Sequence, residues 1–469
     1  MKTPSNFTED FVSERLERAL ASAGRLEVVD ADAMFEGFEG DLTRLAEARV
    51  VQSSHLVRGR VRIRVIDDGR CGEAWTTDLS DDGLLDAAKT AKSLAKNAPH
   101  TGFRETLPKP GNTVVIDPDR AIHAPTAALT SADKGQWLAQ ALSDHRNRGL
   151  ALAGRFHTGL HTLAVRSTQH LATFHQGSRC ELALSSLENP AGHEASSYRA
   201  RFSYRIDADT VAEMAEETRQ ECALAANPVE VETGAWDVIL TPAAMADLVG
   251  WLCYIGFSSQ FIEDGRSFAA GNMGQQLTGE AFSLHDDGML PDSDGVPLPF
   301  DVEGTPKQRT SLIHKGALAG VVHNSRSAQK QGCSSTGHAS ADPMWPTLSS
   351  AAAHPVVSAG TADSPSLIAQ VERGLLVTRL HYVNGLLEPR RAVMTGLLRD
   401  AAFEIRDGKL LRSVRPMRFT DSILEAFGRI EGPHAISAVR QPQKMMFHDS
   451  HCGLMPHVLV RGLKFTSGR

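Results

Sequence analysis

The stretch VRIRVIDDGRCGEAWTTDLSDDGLLDAAKTA, residues 61–91, predicts in order a strand, a turn, a second strand and a helix. Apolar residues alternate with arginines at its start, which is the period of a half-buried strand, and Asp-Asp-Gly at residues 67–69 suits a tight turn. Ser80 can cap a helix in which leucine and alanine recur at helical spacing. The alternation also predicts a solvent-facing side of the strand that carries Arg58, Arg60, Arg62 and Arg64. The stretch therefore indicates a small α/β unit.

Outward from this unit, the sequence pattern divides the chain into three segments. Several prolines between residues 99 and 125 indicate a crossing segment, and a helical pattern ends at Asn227-Pro228. Beyond that point glycine, proline, serine and short apolar runs favour strands. We therefore predict an α+β fold with an N-terminal mixed α/β half and a C-terminal β-rich half. The predicted segments are an N-terminal α/β subdomain (1–98), a second α+β subdomain (99–228) and a C-terminal β-rich domain (229–469).

Composition and charge exclude several classes of protein. The 469 residues are 41% hydrophobic and 22% charged, which suits a globular protein with sizeable cores. A net charge of −7 argues against a broad nucleic-acid-binding surface. The sequence has neither an apolar run long enough for a membrane span nor the pattern of a signal peptide at its start. The six cysteines are scattered without a C-x-x-C pair, so we expect a reducing, cytoplasmic location.

Common cofactor and hydrolase motifs are missing from the sequence. It lacks the glycine-rich nucleotide loops and the G-x-S-x-G elbow. The run at 292–295 begins like a calcium loop, but Pro297 stands at the sixth position, where glycine is needed. His193-Glu194 begins like a zinc-protease helix, but Ser197 stands where the second histidine would be. Residue chemistry alone therefore indicates an α+β protein of two parts and does not name a reaction.

Several separate motifs carry a resemblance to a known family. One is HDDGMLPDSDGVPLPFDVEGTPKQRTSLIHKGALAGVVHNSRSAQKQG at 285–332, which is followed by STGHA at 335–339. Another is HCGLMPHVLVRGLKFTSG at 451–468. Together with the strand–turn–strand–helix opening, these motifs resemble the TldD–PmbA family, whose members are described as modulators of DNA gyrase and as metallopeptidase-like proteins. The resemblance covers roughly residues 60–468 and implies a metallopeptidase-like C-terminal domain.

The resemblance also bears on metal binding. In the TldD branch an H-E-x-x-x-H helix supplies two zinc ligands and a general base. Placed on this chain without gaps, the two histidine positions fall on Gly250 and Ile255, and the glutamate position falls on Trp251. None of these residues can bind zinc or act as a base. The chain therefore resembles the PmbA (TldE) branch, which lacks the motif, and we expect it to bind no cofactor itself.

This branch resemblance implies a function in a complex. A PmbA-type chain would pair with a zinc-bearing TldD-like subunit, and the heterodimer would cleave unfolded or small peptides during maturation or degradation. An extended peptide would bind by adding a strand to a sheet. One alternative is a non-catalytic homodimer that binds peptides or a protein partner. Neither reading involves nucleic acid or a membrane.

Four residues of the family-like motifs are candidates for substrate binding. Asp301 and Glu303 alternate on one strand face and could act as an acid/base pair, or they could anchor a turn. Arg326 could bind a substrate carboxylate or a neighbouring loop. His338 in STGHA could touch substrate or hydrogen-bond a loop, and we favour the loop.

The C-terminal tail holds a second group of candidates. His448, His451 and Cys452 are possible metal ligands within five positions, but a closed zinc site needs more ligands than they supply. We expect no metal there and favour a packed tail. A rival hypothesis makes the chain an enzyme in its own right, with Cys452 as nucleophile and one of the histidines as base.

Overall fold

The structure is a computed structural model that describes residues 5–99, 103–111, 116–188, 195–341, 348–446 and 450–468. Its N-terminal half contains a six-stranded antiparallel sheet, and its C-terminal half contains a thirteen-stranded mixed sheet. The predicted α+β fold, with a mixed N-terminal half and a β-rich C-terminal half, is confirmed.

The N-terminal sheet is built from long strands in the order β3-β2-β1-β4-β5-β6. Its strands are Asp30–Ala46 (β1), Arg49–Asp67 (β2), Arg70–Thr76 (β3), Leu150–Ser167 (β4), Ala172–Glu188 (β5) and Ser196–Ser203 (β6). The helices of this half are Glu9–Gly24 (α1), Asp81–Asn97 (α2), Pro118–Ala121 (α3), Ala124–Ala127 (α4), Ser131–Asn147 (α5) and Ala208–Leu224 (α6). The sheet thus joins strands from both of the first two predicted segments, and the predicted division at residues 98 and 99 stays a prediction.

Helix α2 shows how the local sequence sets its own boundaries. The Ser80 hydroxyl accepts a hydrogen bond from the Gly83 N–H at 3.2 Å, as the cap prediction requires. Asp81 and Asp82 lie in the first turn, where negative charge favours the helix dipole. The apolar faces of α1 and α2 bury leucines and alanines against β1 and β2. This packing supplies the core on one face of the sheet.

The C-terminal half contains many short strands around one long one. Its strands are Gly234–Leu240 (β7), Leu284–Asp286 (β8), Thr310–His314 (β9), Ala317–Leu318 (β10), Ala339–Ser340 (β11), Ser349–Ser350 (β12), Pro355–Val357 (β13), Arg373–Val377 (β14), Leu380–Glu388 (β15), Val393–Leu398 (β16), Ala402–Arg406 (β17), Lys409–Ser413 (β18), Met417–Ser422 (β19), Ile436–Lys444 (β20) and Cys452–Gly468 (β21). Strand β21 pairs with β7, β13, β19 and β20. It is therefore the centre of this half.

Five helices accompany these strands. They are Pro242–Phe257 (α7), Ser259–Glu263 (α8), Ser325–Gln331 (α9), Ser364–Ala369 (α10) and Ile423–Phe427 (α11), with short 3-10 turns at Pro389–Arg391 and Pro433–Ala435. In the described ranges, no helix is both long enough and apolar enough to cross a membrane.

The arginines of β2 differ from one another in burial. The prediction of solvent exposure is correct for Arg58 and Arg60. It is wrong for Arg62 and Arg64, whose side chains are completely buried. The reason is that residues of the C-terminal half cover this end of the strand. The Val302 carbonyl, for example, accepts a hydrogen bond from Arg62 at 3.1 Å.

A buried ion cluster, formed by Asp32, Arg62, Arg64 and Glu303, joins the two halves at this point. Asp32 of β1 accepts hydrogen bonds from Arg62 Nη2 at 2.7 Å and from Arg64 Nε at 2.6 Å. Arg64 Nη1 also donates to Glu303 Oε1 at 2.5 Å. Burying each charge costs several kcal/mol of hydration, so the cluster is stable only while every partner is present.

Replacing Arg64 with alanine should destabilise the fold strongly, because Asp32 loses one of its two arginines and Glu303 loses a buried partner. We expect a loss of about 3–5 kcal/mol in the free energy of unfolding, measured by chemical denaturation. Arg60→Ala on the same strand is the matched control, since Arg60 pairs with Glu36 at the surface. That control should cost less than about 1 kcal/mol. Equal losses in the two variants would contradict the importance of the buried cluster.

Candidate functional site

Helix α7 is apolar on nearly all of its sides. Its sequence PAAMADLVGWLCYIGF begins with Pro242, at a position where a missing N–H costs little. Small and apolar residues follow around the whole circumference, and such a helix has to be surrounded by protein. It packs against β7, β15, β20 and β21. The helix therefore lies inside the C-terminal core.

The three positions of the degenerate metal motif lie in this packed environment. Ile255 is fully buried and Trp251 is 8% exposed. The Trp251 ring meets Tyr254 edge-on, with centroids 5.9 Å apart, and Gly385 of β15 lies directly against the indole. A Cβ atom at Gly250 would lie 3.4 Å from Met446 Cγ, an ordinary contact distance.

These positions do not fit a zinc ion. Glycine and isoleucine offer no side-chain donor, and the indole of tryptophan has a donor N–H but no lone pair to coordinate a metal. Within the described ranges, no group of three or more His, Cys, Asp or Glu side chains is arranged to hold a metal ion. The chemistry of α7 in this chain is therefore packing.

A polar cleft opens beside the first two turns of α7, and we call it the α7 pocket. Its empty volume, including its open mouth, is about 540 Å³. Strands β4, β5 and β6 of the N-terminal sheet form one wall, and α7 with the end of β20 forms the other. The charged residues of the lining are Arg155, Glu181, Arg201, Asp247, Arg379 and Lys444. The pocket thus lies between the two halves of the chain.

Ion pairs hold the cations of one side of the α7 pocket in place. Glu181 of β5 forms an ion pair with Arg155, and it also accepts a hydrogen bond from Lys444 Nζ at 3.2 Å. Arg201 of β6 donates to Asp294 at 2.7 Å. Each of these side chains therefore has a fixed position before any ligand binds.

Arg379 is fixed on the other side of the pocket in two ways. Its guanidinium carbon lies 3.8 Å from the ring centroid of Tyr198, which is a cation–π contact. Its Nη1 also donates to Asp400 at 3.0 Å. Burial raises the pKa of the Tyr198 hydroxyl, against the attraction of Arg379, so this hydroxyl stays a hydrogen-bond donor.

Asp247 is the acidic residue of α7 that faces the pocket. Burial raises the pKa of its carboxyl to about 7, although the Arg379 guanidinium and the Leu380 backbone N–H both favour the ionised form. Since this value lies near neutrality, Asp247 exchanges its proton in the range where most proteins work. It lies one helical turn before Gly250, so the pocket adjoins the degenerate motif.

The N-terminus of α7 also adjoins the pocket, through Ala243 of its first turn. The hydroxyl of Thr241, the N-cap residue, donates to the Thr378 carbonyl at 2.6 Å and makes no capping bond. The first turn contains no acidic residue. The partial positive charge of the helix end is therefore not neutralised by its own side chains.

The sequence-predicted residues Asp301 and Glu303 lie in the interface between the halves and not in the α7 pocket. Asp301 accepts hydrogen bonds from the N–H groups of Glu303, Thr305 and Ala339 at 2.7–2.9 Å. Glu303 pairs with Arg64 and accepts from the N–H of Ser325 at 2.9 Å, at the start of α9. Both carboxylates thus organise loops, and substrate binding by them stays a prediction.

Arg326 and His338 lie in the same region. Arg326 Nε is 3.7 Å from Glu105. His338 is completely buried, with Nε2 2.8 Å from Asp286. Burial disfavours the Asp286 carboxylate, but the charge and hydrogen bond of His338, together with Lys307 and His354, outweigh burial and lower the pKa of Asp286. His338 therefore lies in a loop-bonding position, and a substrate role for either residue stays a prediction.

The tail residues do not form a catalytic pair among the residues that the structure describes. His448 lies outside the described residues. Cys452 is fully buried, and its thiol lies 3.8 Å from the Phe202 carbonyl. Burial raises the pKa of this thiol to about 12, so it stays protonated and poorly nucleophilic. His451 lines a second, mostly apolar cleft together with Asp301.

Comparison with known proteins assigns the family. Residues 233–467, half of the chain, match the model of the PmbA/TldA metallopeptidase C-terminal domain. The chain belongs to the PmbA/TldD family. The sequence resemblance to this family is therefore confirmed. Helix α7 lies inside the matched domain, and the α7 pocket lies where this domain meets the N-terminal sheet.

The chain is also similar to individual proteins, one of them in fold and two of them in part of their sequence. The crystal structure of TldE from Thermococcus kodakarensis superposes with a TM-score of 0.83 at 19% identity, covering 97% of this chain and 100% of that one. The uncharacterized protein MJ0231 of Methanocaldococcus jannaschii is 34% identical over 22% of this chain and 25% of its own length. The metalloprotease TldD homolog of Haemophilus influenzae is 25% identical over 37% of this chain and 36% of its own. The chain thus matches well under two thirds of either curated relative.

Sequence reasoning did not find the α7 pocket. Its charged residues come from four strands, one loop and one helix that are far apart in the chain. The one local signal is Asp247, the single charged residue in the apolar sequence of α7. An acidic residue at that place has to face either a partner or a cavity.

The raised pKa of Asp247 predicts a pH-dependent stability. Its folded pKa of about 7 lies above the ordinary 3.8, so the folded state binds the proton more tightly than the unfolded state. Stability contributed by this group is therefore present at low pH and is lost as the pH rises from about 4 through about 7. Asp247→Asn should remove this loss of stability. The denaturant midpoint of the variant should therefore rise relative to that of the wild type between pH 5 and pH 8. Asp82→Asn on the exposed start of α2 should show no such gain.

The buried thiol of Cys452 predicts low reactivity. Under native conditions at pH 8, iodoacetamide should modify the exposed Cys333 and leave Cys452 unmodified, as judged by peptide mass spectrometry. Unfolding in denaturant should make both thiols reactive. Modification of Cys452 at a rate near that of Cys333 in the folded protein would revive the nucleophile hypothesis.

Proposed function

We propose that the chain is the zinc-free, PmbA/TldE-type subunit of a two-subunit zinc peptidase in the cytoplasm. Its partner would be a TldD-like subunit with an intact H-E-x-x-x-H helix and the catalytic zinc. The complex would cleave unfolded or small peptides in maturation or degradation. The observation that carries the proposal is that α7 buries Gly250, Trp251 and Ile255, at the positions where the family motif has its two histidine ligands and its glutamate base.

The α7 pocket supports a role in handling peptides. Strand β6 is the last strand of the N-terminal sheet and has ladder pairing with β5 alone among the described strands, and β20 packs beside it. Four of its residues, Tyr198, Ala200, Arg201 and Phe202, line the pocket. An extended peptide adds to such an edge through main-chain hydrogen bonds, which accept many sequences. The zinc-free subunit would then contribute binding surface, and its partner would contribute the chemistry.

A second candidate function is a homodimer that binds peptides or a protein partner without cleaving them. The α7 pocket supports this candidate, because it places charged side chains around a cleft beside a helix without the metal motif. It differs from the first candidate in what it requires for activity, since a binding protein needs no zinc-bearing partner.

Co-expression with a zinc-bearing TldD-like subunit tests the proposal. We expect the two chains to co-purify, with zinc bound to the partner, and to cleave an unfolded peptide. A chelator should abolish cleavage, and replacing the glutamate of the partner's motif with glutamine should do the same. The chain alone should bind no stoichiometric zinc and cleave nothing. Zinc-dependent cleavage by the chain alone would contradict the proposal, and a stable homodimer that ignores the partner would favour the second candidate.

A further inference from the structure

The lining of the α7 pocket is electropositive, although the chain as a whole carries a net charge of −7. Four cations line it, Arg155, Arg201, Arg379 and Lys444. The carboxylates that pair with them are Glu181, Asp294 and Asp400. The lining itself contains these four cations and two acids, Glu181 and Asp247, so its balance of charge is positive. An electropositive cleft on an acidic protein favours an anionic ligand.

Two donors of the pocket are positioned for a ligand. Arg201 Nε is buried and has no hydrogen-bond partner among the described residues, while Nη2 of the same guanidinium holds Asp294. Arg379 is held against the ring of Tyr198, so little side-chain entropy is lost when it binds. A buried donor without a partner costs free energy, which a bound acceptor would recover.

The α7 side of the pocket adds two further features. The uncapped N-terminus of α7 directs partial positive charge toward an anion near Ala243. Asp247 can donate a hydrogen bond when it is protonated, and it repels an anion when it is ionised. The other charged and titratable groups that line the pocket with it are Arg155, Glu181, Tyr198, Arg201, Arg379 and Lys444, and Arg379 favours its ionised form.

We propose that the α7 pocket binds the carboxylate of a peptide, either the terminal α-carboxylate or an aspartate or glutamate side chain. The inference rests on the proposed function for the peptide nature of the ligand, and on the pocket itself for the carboxylate. The edge of β6 would hold the peptide backbone, and the guanidinium groups of Arg201 and Arg379 would hold the carboxylate. Arginine suits this task because its planar fork matches a carboxylate.

Binding of three fluorescein-labelled hexapeptides to the full-length chain, without a partner, tests the inference. All three consist of glycine, alanine, serine and leucine and differ in charge: one has a free C-terminal carboxylate, one is C-terminally amidated, and one is amidated with an internal aspartate. At pH 6 we expect the free acid or the aspartate peptide to bind about tenfold tighter than the neutral amide in fluorescence anisotropy. The charged peptide that binds tighter identifies the source of the carboxylate.

Two variants test the pocket. In each of them, the carboxylate that was paired with the replaced cation still has a second cation as its partner. Arg201→Gln leaves Asp294 with Arg205, and Lys444→Gln leaves Glu181 with Arg155. Both should fold, as checked by circular dichroism. Arg201→Gln should lose most of the tenfold preference, and Lys444→Gln, which removes only a nearby positive charge, should lose part of it. Arg391→Gln, at an exposed ion pair outside the pocket lining, should keep it.

The pH dependence gives an independent readout. The preference for the charged peptide should shrink between pH 6 and pH 8 as Asp247 ionises, and Asp247→Asn should keep it constant. Equal binding of all three peptides would overturn the inference, and so would an unchanged preference in both pocket variants. Binding of inorganic phosphate in place of any peptide would also overturn it. None of these results affects co-purification with a zinc-bearing subunit. The proposed function is therefore tested independently of this inference.

Discussion

The buried pairing of Arg62 and Arg64 with Asp32 and Glu303 is the interaction on which the arrangement of the two halves depends. The first three residues belong to the N-terminal sheet, and Glu303 belongs to the C-terminal half. Since an unpaired buried charge costs several kcal/mol, the halves cannot separate or slide here without exposing or stranding a charge. Glu303 also accepts from Ser325 at the start of α9, so the same carboxylate sets the position of a helix. The relative position of the two walls of the α7 pocket follows from this fixed arrangement.

A second constraint is the apolar character of α7. A helix that is apolar all around can be stable only in a core, and this places the degenerate motif beyond the reach of solvent. Trp251 fills the space against Gly385, so the bulk of an indole now occupies a position that the family resemblance gives to a catalytic carboxylate. In this helix, the residues that stand at the motif positions offer no metal ligand, and the same residues pack the core. The charge that remains at its N-terminal end faces the pocket.

Local features of the sequence were enough to predict much of the fold. The Ser80 cap and the apolar spacing after it predict α2, which begins at Asp81 in the structure. The burial of Arg64 could not be predicted in this way, because its partner Glu303 is 239 residues distant. A period of two identifies two faces of a strand, but it cannot tell which face a distant segment covers. The α7 pocket escaped prediction for the same reason, since each of its charged residues except Asp247 looks ordinary beside its own neighbours.

The central place of β21 has a consequence for the order in which the protein can be assembled during synthesis. Residues 452–468 pair with four other strands, and two of these, β7 and β13, precede them by about 100 to 220 residues. Contacts so distant in sequence are slow to form, because the loop between them has to close first. Until residues 452–468 leave the ribosome, β7 and β19 each have one edge whose backbone N–H and C=O groups lack the partner that β21 provides in the finished sheet. A nascent chain at that stage is open to aggregation and to chaperone binding, whereas the N-terminal sheet has all six of its strands by residue 203.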